Sequence, residues 1–172
     1  NSTYRLKRSQ YDQAKKYLIE ALSIAKTKDN RLRILGYLTV LVGNYQKNYE
    51  EAIIWFAKFE EEDATYWDNN IGRMYAYLHA LYNTQKYDLL IKVWEKYNLS
   101  YENKMKDLDV ANNDNKDFIE EYYYNLVNYY GPSLYAIGEK QKALAVFEKV
   151  LVNSSKEKVR QNAQQWIKKI KN

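Results

Sequence analysis

Few residues in this chain could perform covalent chemistry. The sequence holds one histidine, His79, and no cysteine, which excludes disulfides, thiolate nucleophiles and metal sites built from several His or Cys ligands. His79 is the only side chain that could act as the base of a Ser–His pair. We expect it instead to be a partly exposed polar residue on the face of a helix.

The other concentration of reactive groups is acidic. Residues 60–63 read Glu-Glu-Glu-Asp, but consecutive residues of a helix point in different directions and would not surround a metal ion. The sequence contains no glycine-rich phosphate loop, no G-x-S-x-G elbow, no H-E-x-x-H pair and no EF-hand loop. We therefore predict that the chain is not an enzyme and uses no catalytic residue, metal or cofactor.

The composition favours a single helical domain. The chain has 172 residues, of which 46% are hydrophobic and 28% charged, with 19 Tyr, 5 Gly and 1 Pro. So few turn-forming residues are unusual for a sandwich of short strands, and one domain is typical at this length. No apolar run approaches the roughly 18 residues that a membrane helix needs. We predict one all-α domain over residues 1–172, without a membrane span.

An internal repeat organises the chain. It consists of four mostly apolar positions at offsets that place them on one face of an α-helix, which we call the repeat stripe. The four stripes are Tyr11/Ala14/Leu18/Ala21, Tyr49/Ala52/Phe56/Phe59, Tyr87/Leu90/Trp94/Tyr97 and Lys140/Ala143/Phe147/Val150. The first three begin 38 residues apart, and the fourth follows after a longer interval. A single helix cannot bury such a stripe alone, so the copies are expected to stack.

Further helices are predicted around the stripes. Apolar residues recur at helical spacing over 31–45, 66–83, 118–137 and 155–171. Pairs with the spacing of a helix N-cap are Ser9 with Asp12, Asn48 with Glu51, and Ser154 with Glu157. The Asn- and Asp-rich stretch 99–117 breaks the period, and we predict that it is a mobile insertion.

These residues resemble the tetratricopeptide repeat family. The fourth copy carries the resemblance best, at Gly131, Gly138, Ala143, Phe147 and the Val150-Leu151 pair. Residues 11–22 resemble the family's second helix equally well, although the period is longer than usual and the turn proline is absent. The resemblance implies an α-solenoid of stacked antiparallel helix pairs. Its units would cover 1–28 in part, 29–64, 65–98 and 118–153, with an insertion at 99–117 and a capping helix at 155–171.

The resemblance also implies a binding groove, because the first helix of each unit lines a concave face in this family. The corresponding positions here are Tyr37, Asn44, Tyr45, Tyr75, His79, Tyr82, Asn83, Asn125, Asn128 and Tyr135. Asn can pair with a peptide backbone, and Tyr offers a stiff ring with a polar tip. The positions where the family holds Lys and Arg for terminal carboxylates carry Tyr, Asn, Leu and Gly, so a neutral groove is implied. Packing of these tyrosines within the helices is the alternative interpretation.

Charge is distributed unevenly along the chain. Residues 1–33 and 138–172 each hold nine basic and three acidic side chains, whereas the middle is acidic. The aromatic side chains are concentrated in that middle, which argues against direct binding of nucleic acid, where basic and stacking groups must coincide. Basic ends beside an acidic middle could steer a partner, or they could be solvated surfaces.

The sequence therefore favours a scaffold that binds another protein or a peptide segment in a groove lined by Tyr and Asn. Two alternatives stay open: a peptide-sensing regulatory domain of a larger transcriptional regulator, and a self-assembly module that forms homo-oligomers. The absence of Cys and the scarcity of Met favour an exported bacterial protein, periplasmic or lipoprotein-anchored, over a cytoplasmic one.

Overall fold

A computed structural model describes residues 2–108 and 112–172. These residues form helices and no strands, which confirms the predicted all-α class. The α-helices are α1 (Ser2–Ile24), α2 (Lys28–Val40), α3 (Tyr49–Glu62), α4 (Ile71–Asn83), α5 (Tyr87–Lys106), α6 (Asn113–Asn125), α7 (Gly131–Ala136), α8 (Lys140–Asn153) and α9 (Glu157–Lys171). Between them lie two π-helical turns, Leu41–Tyr45 and Leu126–Tyr130, and a 3₁₀ helix, Ala64–Asn69. Within the described ranges, no helix is long and apolar enough to cross a bilayer.

The chain divides into two compact units, and the N-terminal unit spans Asn1–Trp67. Helices α1, α2 and α3 pack together there over a core that includes Leu38, Val42 and Phe56, each at most 3% exposed. Gly43 allows a close approach to α3, since a Cβ at this position would lie 3.5 Å from the Cβ of Ala52.

The C-terminal unit spans Asp68–Asn172 and has an aromatic core. In α8, the fully buried ring of Phe147 stacks on Trp166 of α9 with 5.4 Å between the ring centroids. A Cβ at Gly131 of α7 would lie 2.6 Å from the Phe147 ring, so this contact requires a glycine. Phe147 therefore packs against both α7 and α9 and connects the last three helices.

The repeat appears in the local structure of both units. The second, third and fourth stripes lie on α3, α5 and α8, and their last three positions are at most 3% exposed. The turn before each of these helices holds one residue at positive φ, namely Lys47, Gln85 and Gly138. Each of the three stands five positions before the second residue of its stripe. The stripe of α1 differs, because Ala14, Leu18 and Ala21 are only half-buried.

One of the three predicted helix caps is confirmed. The side chain of Asn48 accepts a hydrogen bond from the backbone N–H of Glu51 at 3.3 Å and so caps α3. Ser9 lies inside α1, which starts at Ser2. The Ser154 hydroxyl donates to the carboxylate of Glu120 at 2.6 Å and accepts from the backbone N–H of Lys156 at 3.3 Å, but it is not the N-cap of α9, which begins at Glu157. The predictions at Ser9 and Ser154 are therefore wrong.

Helix α5 is longer than the sequence period indicated. It continues to Lys106, through the first part of the stretch 99–117, and α6 begins at Asn113. Burial explains the extension, because Tyr101 is fully buried against Trp94, with 5.7 Å between the ring centroids. Residues 109–111 of that stretch lie outside the described residues.

Candidate functional site

Aromatic side chains from α4, α6 and the second π-helical turn meet on the C-terminal unit. We call Tyr75, His79, Tyr82, Tyr124 and Tyr129 the tyrosine cluster. The ring centroid of Tyr75 lies 5.7 Å from that of Tyr124 and 5.7 Å from that of Tyr129. The ring of His79 stacks on Tyr75 at 5.9 Å, and its Nδ1 lies 3.2 Å from the Tyr129 hydroxyl. Tyr82 contacts the Tyr129 ring at 5.9 Å.

The helices bring these side chains together in two ways. Tyr75, His79 and Tyr82 follow one another on α4 at the spacing of a single helix face. Tyr124 and Tyr129 are five residues apart, and a regular α-helix would direct them to different sides. The π-helical turn Leu126–Tyr130, whose hydrogen bonds span five residues, brings their ring centroids to 6.4 Å.

A cavity of about 330 Å³ opens beside the cluster. It is lined by Gly72, Tyr75, Glu121, Tyr124 and Asn125. The rings of Tyr75 and Tyr124 are accessible, at 38% and 39% exposure, whereas Asn125 is fully buried. Neither the amide nitrogen nor the amide oxygen of Asn125 has a hydrogen-bond partner in the part of the chain that the structure describes. The cavity therefore has an aromatic wall and one buried amide that can still donate and accept.

Glu121 is the acidic group of this cavity. Burial, and then repulsion by Asp117, raises the pKa of Glu121 above its usual range, while Lys156 opposes this shift. The Nζ of Lys156 lies 4.0 Å from the Asp117 carboxylate, and the ion pairs found among the described residues do not include Glu121. A Cβ at Gly72 would lie 3.4 Å from the Glu121 carboxylate, so the missing side chain leaves room beside it.

Burial favours the neutral forms of four side chains of the tyrosine cluster, His79, Tyr82, Tyr124 and Tyr129. Burial lowers the pKa of His79, which favours its neutral ring. Burial, and then the neighbouring Tyr75 hydroxyl, raises the pKa of Tyr129. Burial followed by repulsion from Tyr75 raises that of Tyr124 as well. The surface is therefore a neutral, polar aromatic face with one carboxylate at its edge.

The structure brings several of the predicted groove residues together on the C-terminal unit. Tyr75, His79 and Tyr82 belong to the tyrosine cluster, and Asn125 lines the adjoining cavity. Asn83 lies beside His79, with its Nδ2 3.3 Å from the ring nitrogens and donating to the His79 carbonyl at 2.7 Å.

Two predicted groove residues of this unit make other contacts. The Asn128 side chain donates to the Tyr124 carbonyl at 2.9 Å and accepts from Asn162 at 3.0 Å. Tyr135 packs against Trp166 at 5.5 Å between the ring centroids. Asn128, in the second π-helical turn, and Tyr135, on α7, therefore both contact α9.

The remaining predicted residues, Tyr37, Asn44 and Tyr45, lie on the N-terminal unit and are exposed. Tyr37 and Tyr45 line a cavity of about 680 Å³ there. Its other lining residues are Ala14, Tyr17, Leu18, Ala21, Val40 and Leu41. This cavity is thus mostly apolar, and Asn44 is not among its lining residues.

Sequence reasoning missed the two cavity residues Glu121 and Gly72 and the two rings of Tyr124 and Tyr129. The run Tyr122-Tyr123-Tyr124 indicated an aromatic segment of a helix. A π-helical turn has no sequence signature, so nothing in the sequence predicted that the Tyr129 ring would lie beside the Tyr124 ring. Gly72 stands in the first turn of α4, where a glycine without a capping role is a weak signal for a close approach.

Among the described residues, no group of three or more His, Cys, Asp or Glu side chains could hold a metal ion. Comparison of the chain with protein-family models, with curated proteins and with solved structures found no match.

Proposed function

We propose that this protein is an interaction module that binds an extended segment of another protein on the C-terminal unit, at the tyrosine cluster and its cavity. Asn125 is the observation that carries the proposal. A buried side-chain amide without a hydrogen bond costs about 1–3 kcal/mol, and folding gains nothing from it. A peptide backbone that enters the cavity would supply both a donor and an acceptor for this amide.

The accessible rings support the same function. Tyr75 and Tyr124 expose more than a third of their surfaces at the mouth of the cavity. Tyr is enriched at the energetic centres of protein interfaces because it covers a large area with few rotatable bonds. The neutral ring of His79 and the Asn83 amide extend this surface along α4.

We further propose that the helices form a tetratricopeptide-like α-solenoid. The common turn at Lys47, Gln85 and Gly138, with one residue at positive φ, supports this arrangement, as do the buried stripes of α3, α5 and α8. In such an arrangement α4 and α6 are first helices of neighbouring units, and their shared face is the one that would hold a partner segment.

The test is retention of a pool of randomised heptapeptides by the immobilised full chain. The Tyr75→Ala/Tyr124→Ala double variant should lose at least about tenfold in retention, since each ring is worth a kcal/mol or more. Tyr17→Ala/Tyr37→Ala is the matched control, because both of its tyrosines are 58% exposed on the N-terminal unit. Equal retention by the first variant and the native chain would overturn the proposal, as would a loss confined to the control.

Self-association is a second candidate function, and the half-buried stripe of α1 favours it. Tyr17 and Ile24 of this helix are 58% and 77% exposed, and the adjoining cavity is mostly apolar. A contiguous apolar surface of this kind is typical of an interface. Analytical ultracentrifugation should show a dimer that Leu18→Asp disrupts, and a monomer at every concentration would exclude this candidate.

A further inference from the structure

We propose that the cavity selects a basic side chain, Arg above Lys, in the bound segment; this inference rests on the proposed function and names the chemistry that the site recognises. Three features of the cavity point to a cation: an acidic group that forms no ion pair within the described ranges, two accessible aromatic rings, and a buried amide that can hold the backbone next to that side chain.

The first feature is Glu121. Its carboxylate faces Gly72, where the absent side chain leaves room. Lys156, whose charge opposes the rise in the Glu121 pKa, approaches the carboxylate of Asp117. Asp117 stands one helical turn before Glu121 on α6, so the two carboxylates repel each other. A guanidinium or ammonium group bound beside Glu121 would replace this repulsion with attraction, whereas an acidic side chain would add to it.

The second feature is the pair of rings. Tyr75 and Tyr124 line the same cavity, with 5.7 Å between the ring centroids and an angle of 51° between the ring planes. Two tilted rings of this kind can both contact one inserted side chain. A cation over a Tyr ring gains about 0.5–1 kcal/mol at an exposed site. Arg is favoured over Lys because its planar group stacks on a ring while its N–H groups point at a carboxylate.

The third feature is Asn125, which distinguishes this cavity from a patch of negative charge. Asn125 is fully buried, is among the residues that line the cavity, and has no hydrogen-bond partner for either polar atom of its amide among the described residues. An extended backbone can donate its N–H to the amide oxygen and accept from the amide N–H at the same residue. The side chain of that residue or of its neighbour then enters the space between Tyr75, Tyr124 and Glu121. The amide thus fixes the register in which the basic group meets the carboxylate.

The experiment uses five pools of heptapeptides, randomised at every position except the central one, which is fixed as Arg, Lys, Gln, norleucine or Glu. The native chain should retain the Arg pool about fivefold or more above the Gln pool, with Lys between them and Glu lowest. Glu121→Gln should abolish this order while it leaves retention of the norleucine pool unchanged. Glu148→Gln is the control, because it removes one exposed carboxylate of α8 that lies outside the cavity.

The outcomes separate this inference from the proposed function. Equal retention of all five pools would overturn the preference for a basic side chain and leave the interaction surface in place. A preference for Arg that survives Glu121→Gln would also overturn it, since the Glu121 carboxylate would then not be the group that selects the basic side chain. Retention of none of the pools would overturn both proposals together.

Discussion

The first and fourth repeat stripes have the same spacing but different surroundings. On α8, Ala143, Phe147 and Val150 are fully buried, and Phe147 packs between α7 and α9. On α1, the corresponding Ala14, Leu18 and Ala21 are only half-buried. The stripe of α8 therefore stabilises the fold, whereas the stripe of α1 leaves apolar surface accessible.

The apolar cavity of about 680 Å³ on the N-terminal unit and the cavity beside the tyrosine cluster, two of the cavities found on the two units, differ in the polar groups that line them. The larger one, on the N-terminal unit, is lined mainly by apolar side chains and offers little to define a ligand. The smaller one, on the C-terminal unit, has a buried amide, a carboxylate and two rings. Of these two cavities, the one on the C-terminal unit therefore offers the polar groups that could select a ligand, and its Asn125 side chain is held in a fully buried position. Selection needs such support, because a polar group selects a ligand only when it is held in place.

The largest expected effect compares the two stripes directly. Phe147→Ala should lower the free energy of unfolding of the C-terminal unit by about 3–5 kcal/mol, since it removes a fully buried ring and leaves a cavity. Leu18→Ala should cost only about 1 kcal/mol, because its side chain already meets solvent. Denaturant unfolding followed by circular dichroism measures both. Similar losses for the two variants would remove the distinction between a covered and an uncovered stripe.

The next largest effect concerns the buried carboxylate of Glu120 on the C-terminal unit. Glu120 is 5% exposed and accepts hydrogen bonds from the Ser154 hydroxyl and from the backbone N–H of Ser155, at 2.6 Å and 2.7 Å. Glu120→Ala should cost about 2–3 kcal/mol. Glu62→Ala, which breaks a half-exposed pair with Arg31 on the N-terminal unit, should cost at most about 1 kcal/mol.

The Glu120 carboxylate also makes the stability of the fold depend on pH. Burial raises the pKa of Glu120, but the hydrogen bonds from Ser154 and Ser155 outweigh burial and hold the pKa below its usual value. Its contribution is therefore complete above the pKa of an unfolded glutamate and is lost as the pH falls through the lower pKa of the folded state. Unfolding of the native chain and of Glu120→Gln should converge in acid, and a difference that persists there would contradict this assignment.

A smaller effect concerns the pH dependence of binding at the cavity. Burial and then Asp117 raise the pKa of Glu121, and Lys156 opposes them. A bound cation favours the carboxylate, so affinity for the Arg pool should rise with pH through the Glu121 pKa and then level off. Between about pH 7 and pH 4 the preference for Arg over Gln should fall about fivefold. Glu121→Gln should show no such change, and a parallel decline in that variant would contradict the assignment to Glu121.

The smallest expected effect is at Gly72, where stability and binding should respond in opposite directions. Gly72→Ala favours the helical conformation of α4 by up to about 1 kcal/mol. Its methyl group would lie 3.4 Å from the Glu121 carboxylate and occupy part of the cavity. Retention of the Arg pool should decline about two- to fivefold while the melting temperature rises. Gly43→Ala offers a comparison on the N-terminal unit, where it should leave retention unchanged.

Many of the helices could be predicted from the sequence, because apolar residues that recur at helical spacing are usually buried. The stripes at Phe56, Trp94 and Phe147 are buried as their spacing predicted. Helix ends were less predictable: burial of Tyr101 extends α5, and the Ser154 hydroxyl binds Glu120 and the Lys156 N–H ahead of α9. The contacts include Tyr101 with Phe118 and Ser154 with Glu120, pairs 17 and 34 positions apart that a local pattern does not contain.

The candidate site was predictable only in part. The period placed Tyr75, His79 and Tyr82 on one face of α4, and the structure has them there. Tyr124 and Tyr129 needed the π-helical turn between them, which no local spacing reveals. The sequence also could not predict that the Asn125 amide has no hydrogen-bond partner among the described residues, because such a partner would come from the side chains of other helices.

The most direct test of the account is Asn125→Leu, measured for stability and for binding in the same preparation. Leucine is close in size and removes a buried polar group without partners, so the free energy of unfolding should stay equal or rise by about 1 kcal/mol. Retention of the heptapeptide pools should fall at least about tenfold whatever their central residue, because the backbone contact is lost. Undiminished retention would contradict the central claim that this amide is kept for a partner, and a large loss of stability would show that it serves the fold.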